Sequence, residues 1–319
     1  MVALTPIKSS LTKLPKALTA VFVGGTSGIG LYTLQALAKY CAQPTIYFVG
    51  RSQSAATTIL SQLKTINASG TYHFIQADVA LVKNVDKVCA EITAKEKYIN
   101  MLVLSQGALS MGTNTEEGLR STTSLILHSR TRFALNLLPL LRAAPQLRRV
   151  LSVFCGTKEG PVVDPTDLEM WHIKNPMKAR GQAASMLTLM LEEVAKRAPE
   201  VSFVHDFPGF VRSGAARGGE LSVTIMRWVY YVVGPLIYVP EEEVGERHLF
   251  LATSARFAAA EGDANGVEFG GKGGDVAVGS EGRVGSGVYV VDEKCESAGQ
   301  TVLDAVSYTH LTLPTNREV

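Results

Sequence analysis

The chain has 319 residues, and its 31 basic and 29 acidic residues nearly cancel to a net charge of +2. Hydrophobic residues make up 46% and charged residues 19%, a composition that excludes a disordered chain. No excess or run of positive charge favours nucleic acid or an anionic membrane as a partner. The length suits one large α/β domain or two small ones, because a chain of this size buries roughly three quarters of its unfolded surface.

The cysteines are few and far apart. Cys41, Cys89, Cys155 and Cys295 form no CxxC pair and no cluster with histidine at metal-ligand spacing. This pattern argues against a zinc site and a disulfide framework and favours a reducing compartment, so we expect a cytoplasmic protein without a bound metal. Residues 1–17 carry three lysines among short apolar runs, and no uninterrupted apolar segment follows them, so they predict no signal peptide.

Short apolar strands alternate with helical patterns along most of the chain. The predicted strands are 18–24, 45–50, 72–76, 100–104, 149–154, 201–205 and 288–291, and the predicted helices are 29–41, 53–66, 81–96, 117–143 and 178–197. This alternation is typical of a parallel sheet with helices on both faces. The count of about seven strands predicts a single doubly wound, Rossmann-like α/β domain, for which we take bounds of 18–303.

Three segments interrupt this alternation. Residues 221–239 are apolar apart from Arg227 and small or hydroxylated residues, and a Gly-Pro pair breaks the run, which argues against a transmembrane span. We expect a hydrophobic lid over an apolar substrate here, with a buried helix or interfacial membrane contact as alternatives. Residues 261–287 are glycine-rich and predict a flexible loop. Residues 306–319 resemble the translation of a sequencing adapter, and we expect a non-native tail.

A glycine-rich turn follows the first predicted strand and opens the first helix. Its spacing, Gly24-xxx-Gly28-x-Gly30, suits a tight turn, close approach of backbone N–H groups to a pyrophosphate, and close helix–strand packing. The positive end of the helix dipole favours a bound anion there. We therefore predict a dinucleotide site, with a glycine turn that holds no ligand as the alternative. Its expected residues are Gly24, Thr26, Ser27, Gly28, Ile29 and Gly30.

A basic residue follows the second predicted strand, where enzymes that prefer NAD place Asp or Glu to hold the ribose hydroxyls. Arg51 and Ser52 occupy this place, and a guanidinium can hold the 2′-phosphate of NADP with paired, charge-assisted bonds. We therefore predict NADP(H) in preference to NAD(H); the alternative is a solvated surface arginine. Asp78 and Val79, after the third strand, are expected to hold and cover the adenine, and a helix N-cap is the other use for Asp78.

Together these motifs resemble the short-chain dehydrogenase/reductase family, and more closely a divergent group of it that is common in filamentous fungi. The resemblance runs from about residue 18 to 291 and rests on the glycine turn, Asp78-Val79, Ser105-Gln106-Gly107-Ala108 and Pro208-Gly209-Phe210-Val211-Arg212-Ser213. It implies one Rossmann-like domain with a seven-stranded parallel sheet. It also implies that the Pro-Gly segment borders the nicotinamide and that the following loop covers the substrate. The cofactor residues added by the resemblance are Ser105, Gly107, Pro208, Gly209 and Val211.

The catalytic residues of this family are incomplete in the chain. Members reduce carbonyls with a Tyr proton donor, a Lys four residues later and a Ser that polarises the carbonyl. No tyrosine lies within 99–229, and the Tyr-xxx-Lys motif falls near 176–181, which contains no phenol. The family's Ser aligns with Cys155, three residues after Ser152. Both are expected in the catalytic set, although Cys155 is alternatively a small core residue at a strand end.

Histidine is the residue type best suited to replace the missing phenol, because its ordinary pKa lies near neutrality. His128, His172 and His205 are the candidates. The family's helix Asn aligns near His128, so we expect His128 to face the nicotinamide, with a structural helix histidine as the alternative. Tyr230-Tyr231, in the expected lid, offers a further phenol or packs in a helix face.

Two functions are consistent with these expectations. The first is an NADP(H)-dependent oxidoreductase with an atypical active site, acting on a small hydrophobic carbonyl or alcohol; the fungal resemblance suggests secondary metabolism. The second is a nucleotide-binding protein that has lost hydride transfer and acts as a sensor or partner subunit. The missing Tyr-xxx-Lys favours the second function, while the retained cofactor turn fits both. A homo-oligomer is one open alternative for the assembly.

Overall fold

The computed structural model describes residues 2–107, 113–212, 238–270, 275–298 and 304. Within them, seven parallel strands form one sheet in the order β3-β2-β1-β4-β5-β6-β7. The strands are β1 (Thr19–Val23), β2 (Thr45–Gly50), β3 (Thr71–Gln76), β4 (Met101–Leu104), β5 (Arg149–Val153), β6 (Ser202–Asp206) and β7 (Val288–Val291). The strand order reverses between β1 and β4, which opens a crevice at the carboxyl ends of the strands. The predicted doubly wound α/β sheet is confirmed.

Helices cover both faces of this sheet. In the described ranges they are α1 (Leu4–Leu11), α2 (Gly28–Tyr40), α3 (Gln53–Ile66), α4 (Val82–Thr93), α5 (Ser121–Thr123), α6 (Ser129–Arg142), α7 (Pro176–Arg197) and α8 (Glu241–Thr253). A π-helical turn, Ser124–His128, joins α5 to α6, and a 3₁₀ turn, Ala255–Phe257, follows α8. Helix α8 packs against α1 and α2 on one side, and α6 packs against α4 and α7 on the other. None of the helices in these ranges is long and apolar enough to cross a membrane.

The sheet separates two hydrophobic cores. Successive residues of a strand point to opposite faces, so each strand contributes to both. In β1, Phe22 packs in the core that contains α1, α2 and α8, whereas Val21 and Val23 pack in the core under α4, α6 and α7. Burial on both faces explains why the strands are continuous apolar runs and do not alternate with polar residues.

Helix α1 precedes residue 18, where we had placed the start of the domain. Its Ile7 and Leu11 are fully buried in the core beneath α8. Lys8 lies 3.3 Å from Oε2 of Glu246, a fully buried carboxylate on α8, and the hydroxyl of Tyr40 donates to Oε1 of Glu246 at 2.6 Å. The first helix is therefore part of the packed unit.

The structure describes the three segments that interrupt the alternation of strands and helices to different extents. The described residues of 261–287 form no regular helix or strand, but Val267, Phe269 and Ala277 are buried in the core, and the Phe269 ring centroid lies 4.7 Å from that of Phe250. The segment is thus better packed than its glycine content predicts. Residues 213–237, which include most of the predicted lid with Tyr230-Tyr231, lie outside the described residues, as do 306–319.

Candidate active site at the carboxyl edge of the sheet

The glycine turn between β1 and α2 brings three parts of the chain into close contact. Gly24 has a φ of +84°, and a Cβ atom there would lie 2.8 Å from the backbone nitrogen of Gln106. A Cβ atom at Gly30 would lie 2.7 Å from the carbonyl oxygen of Gly24 and would also collide with the hydroxyl of Ser105. That hydroxyl donates to the carbonyl of Val23 at 3.1 Å. Only glycine therefore allows β1, α2 and the end of β4 to meet this closely.

The amino end of α2 is open to a ligand. Gly28, its first residue, has a φ of +59°, and the preceding Ser27 makes no side-chain capping bond. The helix carries no acidic residue in its first turn. Its first N–H groups and the positive end of its dipole therefore face the crevice without a counter-charge from the helix itself, and the phosphates of a dinucleotide fit this cradle.

The Arg51 end of the crevice contains a cavity of about 510 Å³, lined by Arg51, Asp78 and Lys87 among others. Arg51 is exposed, and its carbonyl accepts a bond of 2.9 Å from the side-chain amide of Gln76. The Ser52 hydroxyl caps α3, since it accepts from the N–H of Ala55 at 3.2 Å. Two cations, Arg51 and Lys87, thus line an open space whose wall also carries the carboxylates of Asp78 and Glu91.

Asp78 does not cap the following helix. Its carboxylate accepts from the N–H of Ala80 at 3.1 Å, while the first N–H groups of α4 bond to the carboxylate of Glu117 at 2.7 and 3.0 Å. Val79 is buried in the core. Asp78 thus remains at the cavity wall, and the capping role belongs to Glu117, which the sequence analysis did not single out.

A buried arginine lies between the ends of β4 and β5. Arg130, on α6, is 1% exposed and donates from Nη1 to the hydroxyl of Ser152 at 2.7 Å and from Nη2 to the carbonyl of Gln106 at 2.6 Å. Burial lowers the pKa of Arg130 to about 9. No ion pair to Arg130 occurs in the described part of the chain. Ser152 is fully buried and bound to this cation, so it is closed to a substrate.

His128 lies on a different side of the same helix. Its Nε2 contacts the carboxylate of Glu169, and its ring lines a cavity of about 440 Å³ with Thr131, Leu135 and Met190. Residues two apart on a helix differ by about 200° in direction, so His128 points away from the strand ends that Arg130 reaches. The expectation that His128 faces the nicotinamide does not match this placement. The π-helical turn that ends at His128 adds a residue and rotates the helix face.

Cys155 and His205 meet at the ends of β5 and β6. The backbone N–H of Cys155 donates to Nε2 of His205 at 3.2 Å, and Nδ1 of His205 lies 2.8 Å from the hydroxyl of Thr188. That hydroxyl donates to Glu159 at 2.9 Å. Burial raises the pKa of the Cys155 thiol to about 11, although nearby basic residues oppose this effect. Cys155 is therefore a neutral thiol at the crevice, beside a buried and fully engaged histidine. His172, in contrast, is exposed on the surface.

A tight turn follows Cys155. The N–H of Lys158 donates to the carbonyl of Cys155 at 3.1 Å, and Thr157 between them has a φ of +65°. A β-branched residue rarely adopts this left-handed conformation, so the turn is strained. The Thr157 hydroxyl is buried without a partner, and the ammonium of Lys158 lies 4.6 Å from the ring centroid of Phe207. The turn therefore holds, next to the Pro-Gly segment, a cation that forms no ion pair with the residues described by the structure.

The Tyr-xxx-Lys position is closed by backbone. The N–H of Gly160 donates to the carbonyl of Gly181 at 3.1 Å, and a Cβ atom at Gly181 would lie 3.3 Å from Cα of Gly160. A side chain at Gly181 would require Gly160 to move by a few tenths of an ångström, so the two backbones pack closely here. Lys178 is exposed, and Arg180 is half-buried with an Nε atom that has no partner.

The last expected cofactor residues lie at the same edge. Gly107 follows β4, and a Cβ atom there would meet nothing within 4 Å, so it borders open space. Pro208 and Gly209 follow β6, and Gly209 has a φ of +70°. Val211 lies two residues after Gly209. The carbonyl of the next residue, Arg212, accepts a bond of 3.1 Å from the hydroxyl of Tyr32 on α2. No group of His, Cys, Asp and Glu side chains suited to a metal occurs within the described ranges.

Comparison with known proteins agrees with this geometry. A model of the family described as short chain dehydrogenase matches residues 18–162. A protein of Emericella nidulans named as an oxidoreductase is 38% identical over 303 residues, which cover 92% of this chain and 89% of that protein. A short-chain dehydrogenase/reductase of Stachybotrys chartarum is 32% identical over 287 residues, covering 81% and 79% of the two chains. The chain belongs to the short-chain dehydrogenase/reductase family.

Solved structures share the fold. The complex of RhlG from Pseudomonas aeruginosa with NADP superposes with a TM-score of 0.56 at 18% identity, covering 74% of this chain and 90% of that one. L-Sorbose reductase from Gluconobacter frateurii, complexed with NADPH and L-sorbose, gives a TM-score of 0.54 at 20% identity, with the same coverage.

Proposed function

We propose that the protein is an NADP(H)-dependent oxidoreductase of the short-chain type whose active site works without Tyr-xxx-Lys, on a small, largely apolar carbonyl compound or alcohol. The observation that carries this proposal is the cradle of Gly24 and Gly30 at the reversal of strand order, with the open amino end of α2 above it. Relatives that share about a third of their residues are named as oxidoreductases or short-chain dehydrogenase/reductases. A cytoplasmic location and a role in secondary metabolism belong to the same proposal, and the assembly is proposed to be a homo-oligomer.

The preference for NADP(H) is supported by the charge at the Arg51 end of the crevice. Arg51 and Lys87 line one cavity together with Asp78 and Glu91, and the two cations suit a 2′-phosphate. The structures of RhlG and of L-sorbose reductase, which share this fold, hold NADP and NADPH. When bound, NADPH supplies a hydride for a carbonyl carbon.

The residues at the catalytic end have separate tasks in this proposal. Arg130 holds Ser152 and the carbonyl of Gln106 and so fixes the ends of β4 and β5. Cys155, at the place of the family's Ser, is a neutral thiol that donates a weak hydrogen bond and does not act as a nucleophile. Phe207, below Lys158, offers the substrate an apolar surface.

The experiment is a fluorescence titration of the full chain with NADPH and with NADH, followed by measurement of NADPH consumption with a panel of apolar ketones and keto acids. We expect tighter binding of NADPH and consumption with a subset of the panel. No binding of either cofactor would disprove the proposal, and equal binding of both would disprove the preference.

A second function is favoured by one observation. The segment 176–181, where the family's Tyr-xxx-Lys would fall, contains no phenol, and its last residue, Gly181, packs closely against the backbone of Gly160. A nucleotide-binding sensor or partner subunit would bind NADPH but show no consumption with any compound of a broad panel. The same two measurements therefore separate the two functions.

A further inference from the structure

Three cations lie around Cys155 at the ends of β5 and β6, and the described residues provide them with no ion-pair partner. Arg130 is fully buried behind Ser152, whereas Lys158 and Arg180 are half-buried and open to the crevice. Among the described residues, no hydrogen-bond acceptor meets the ammonium of Lys158 or the guanidinium of Arg180, and the Nε atom of Arg180 is buried. Buried donor atoms are normally bonded, so the Nε atom of Arg180, which has no partner among the described residues, calls for an explanation.

Backbone contacts bring the two open cations together. Lys158 ends the turn that begins at Cys155, and Gly160, two residues later, bonds to Gly181. A Cβ atom at Gly181 would lie 3.7 Å from the carbonyl oxygen of Lys158. Arg180 is the residue before Gly181, so its backbone lies close to the same turn. Both cations act on the Cys155 thiol, which they border.

One acidic residue nearby, Glu159, offsets part of this charge, because it acts on the Cys155 thiol in the opposite sense to the three cations. Glu159 is fully buried, and its Oε1 is already bound to Thr188 and lies 3.3 Å from His205. The two segments that follow β4 and β6 outside the described residues, 108–112 and 213–237, contain one acidic residue in their sequence, Glu220. Three cations and the one carboxylate of Glu159 leave a net positive charge near Cys155, which a bound anion would offset.

We propose that Lys158 and Arg180 form a carboxylate-binding subsite, so that the substrate is an apolar carbonyl compound, or the matching alcohol, that also carries an acid group. This inference rests on the proposed oxidoreductase function, because it names the substrate class of the same site. Two cationic donors at the mouth of the crevice bind one carboxylate, and the Phe207 ring packs against the carbon chain beside it.

A phosphate of the cofactor does not account for these cations. The open amino end of α2 follows β1, and β1 is two strands from β5 in the sheet. Neighbouring strands are about 4.8 Å apart, so the glycine turn and the Lys158 turn are separated by about 10 Å. The dinucleotide cradle and the proposed subsite are therefore two distinct places for negative charge.

The test is calorimetric titration of the full chain, without cofactor, with 3-phenylpropanoate and with the neutral 3-phenylpropanamide, which share one apolar tail. We expect the carboxylate to bind tighter than the amide by about tenfold or more, as bonds to charged groups imply. Lys158→Met and Arg180→Met should each reduce carboxylate affinity toward that of the amide. Lys178→Met, which removes an exposed lysine on the same helix, should leave both affinities unchanged.

Two further measurements keep the test independent of folding and of the proposed function. Added salt should weaken carboxylate binding to the unaltered protein and leave amide binding the same. This measurement needs no variant, so it remains valid if a variant fails to fold. Saturating NADPH should leave carboxylate binding intact if the two anion sites are distinct. Failure of NADPH to bind, with carboxylate selectivity preserved, would disprove the oxidoreductase proposal and keep the subsite. Equal affinity for the two probes, no carboxylate binding, or competition with NADPH would overturn the subsite.

Discussion

His205 accepts a hydrogen bond from the backbone N–H of Cys155 through its Nε2 atom, at 3.2 Å. An acceptor nitrogen carries no proton, so the ring is neutral and its proton is on Nδ1, which faces the hydroxyl of Thr188. Protonation of Nε2 would place two N–H groups against each other. His205, which was a candidate acid on sequence grounds, is therefore a fixed structural histidine that shapes the end of β6.

The first prediction concerns the glycine cradle. Gly30→Ala places a methyl group against the carbonyl of Gly24 and the hydroxyl of Ser105, and we expect a loss of about 1–3 kcal/mol in the free energy of unfolding. NADPH affinity should fall with it. Gly107→Ala is the matched control for folding, since its added methyl group meets nothing. Urea denaturation measures the free energy of unfolding, and a fluorescence titration measures the NADPH affinity. A Gly30→Ala variant that keeps the stability of the unaltered protein would refute the close packing at Gly24 and Ser105.

The second prediction concerns the cofactor phosphate. Arg51→Asp replaces a cation at the edge of the cavity with an anion, so NADPH binding should weaken while NADH binding stays the same or improves. Lys97→Asp makes the same change of charge at another exposed position and should alter neither affinity. If Arg51→Asp weakens the binding of NADPH and of NADH equally, the preference for NADPH has a different origin.

The third prediction concerns His128. Its alignment with the family suggests a large loss of turnover in His128→Ala, but its placement against Glu169 and away from the strand ends indicates a small one. We expect a loss of turnover well short of the roughly 10²–10⁴-fold loss that removal of a general acid causes. Steady-state kinetics with NADPH and an accepted ketone give the answer. A loss within that range would restore His128 as the proton donor.

These cases show what could be predicted from the sequence. The seven strands were predictable because strands buried on both faces are continuous apolar runs, such as Thr19–Val23. The glycine turn was predictable because its spacing has a steric cause. Helix α1 was missed because its eight residues include a proline and polar side chains, so its pattern is weak. It forms because Ile7 and Leu11 gain a core contact that local sequence does not reveal.

The catalytic end was harder to predict for a different reason. Arg130 sits in an amphipathic helix with basic neighbours, and a charged residue there is expected on the surface. Alignment suggested that His128 faces the nicotinamide, and it could not reveal the π-helical turn before Ser129 or the contact of His128 with Glu169.

The fourth prediction concerns the reactivity of Cys155. Burial raises its pKa from 9.0 to about 11, so at pH 8 iodoacetamide should modify it about 100-fold more slowly than an unperturbed thiol. Because the folded pKa lies above the unfolded value, the neutral thiol contributes stability that is present below pH 9 and is lost as the pH rises toward 11. Mass spectrometry of the native protein and of the protein in urea measures both rates. Rapid labelling of the native protein at neutral pH would contradict the burial.

The fifth prediction concerns the buried carboxylate that joins α1, α2 and α8. Glu246→Gln weakens the bonds from Tyr40 and Lys39 and removes the charge near Lys8, so we expect a loss of about 1–3 kcal/mol in the free energy of unfolding. Glu242→Gln is the control, because the exposed ion pair of Glu242 with Lys39 should contribute about 1 kcal/mol at most. Equal losses of unfolding free energy in the two variants would show that the buried position of Glu246 does not strengthen its bonds.

The strained Thr157 has a consequence for variation of this protein. Glycine, and to a lesser degree Asn or Asp, adopts a left-handed backbone more readily than a β-branched residue, so such replacements relieve strain of order 1–3 kcal/mol. A laboratory screen for heat resistance would therefore select changes at Thr157 early. The same changes would free the backbone that holds Lys158 over Phe207. Selection for heat resistance and selection for turnover would thus favour different residues at this one position.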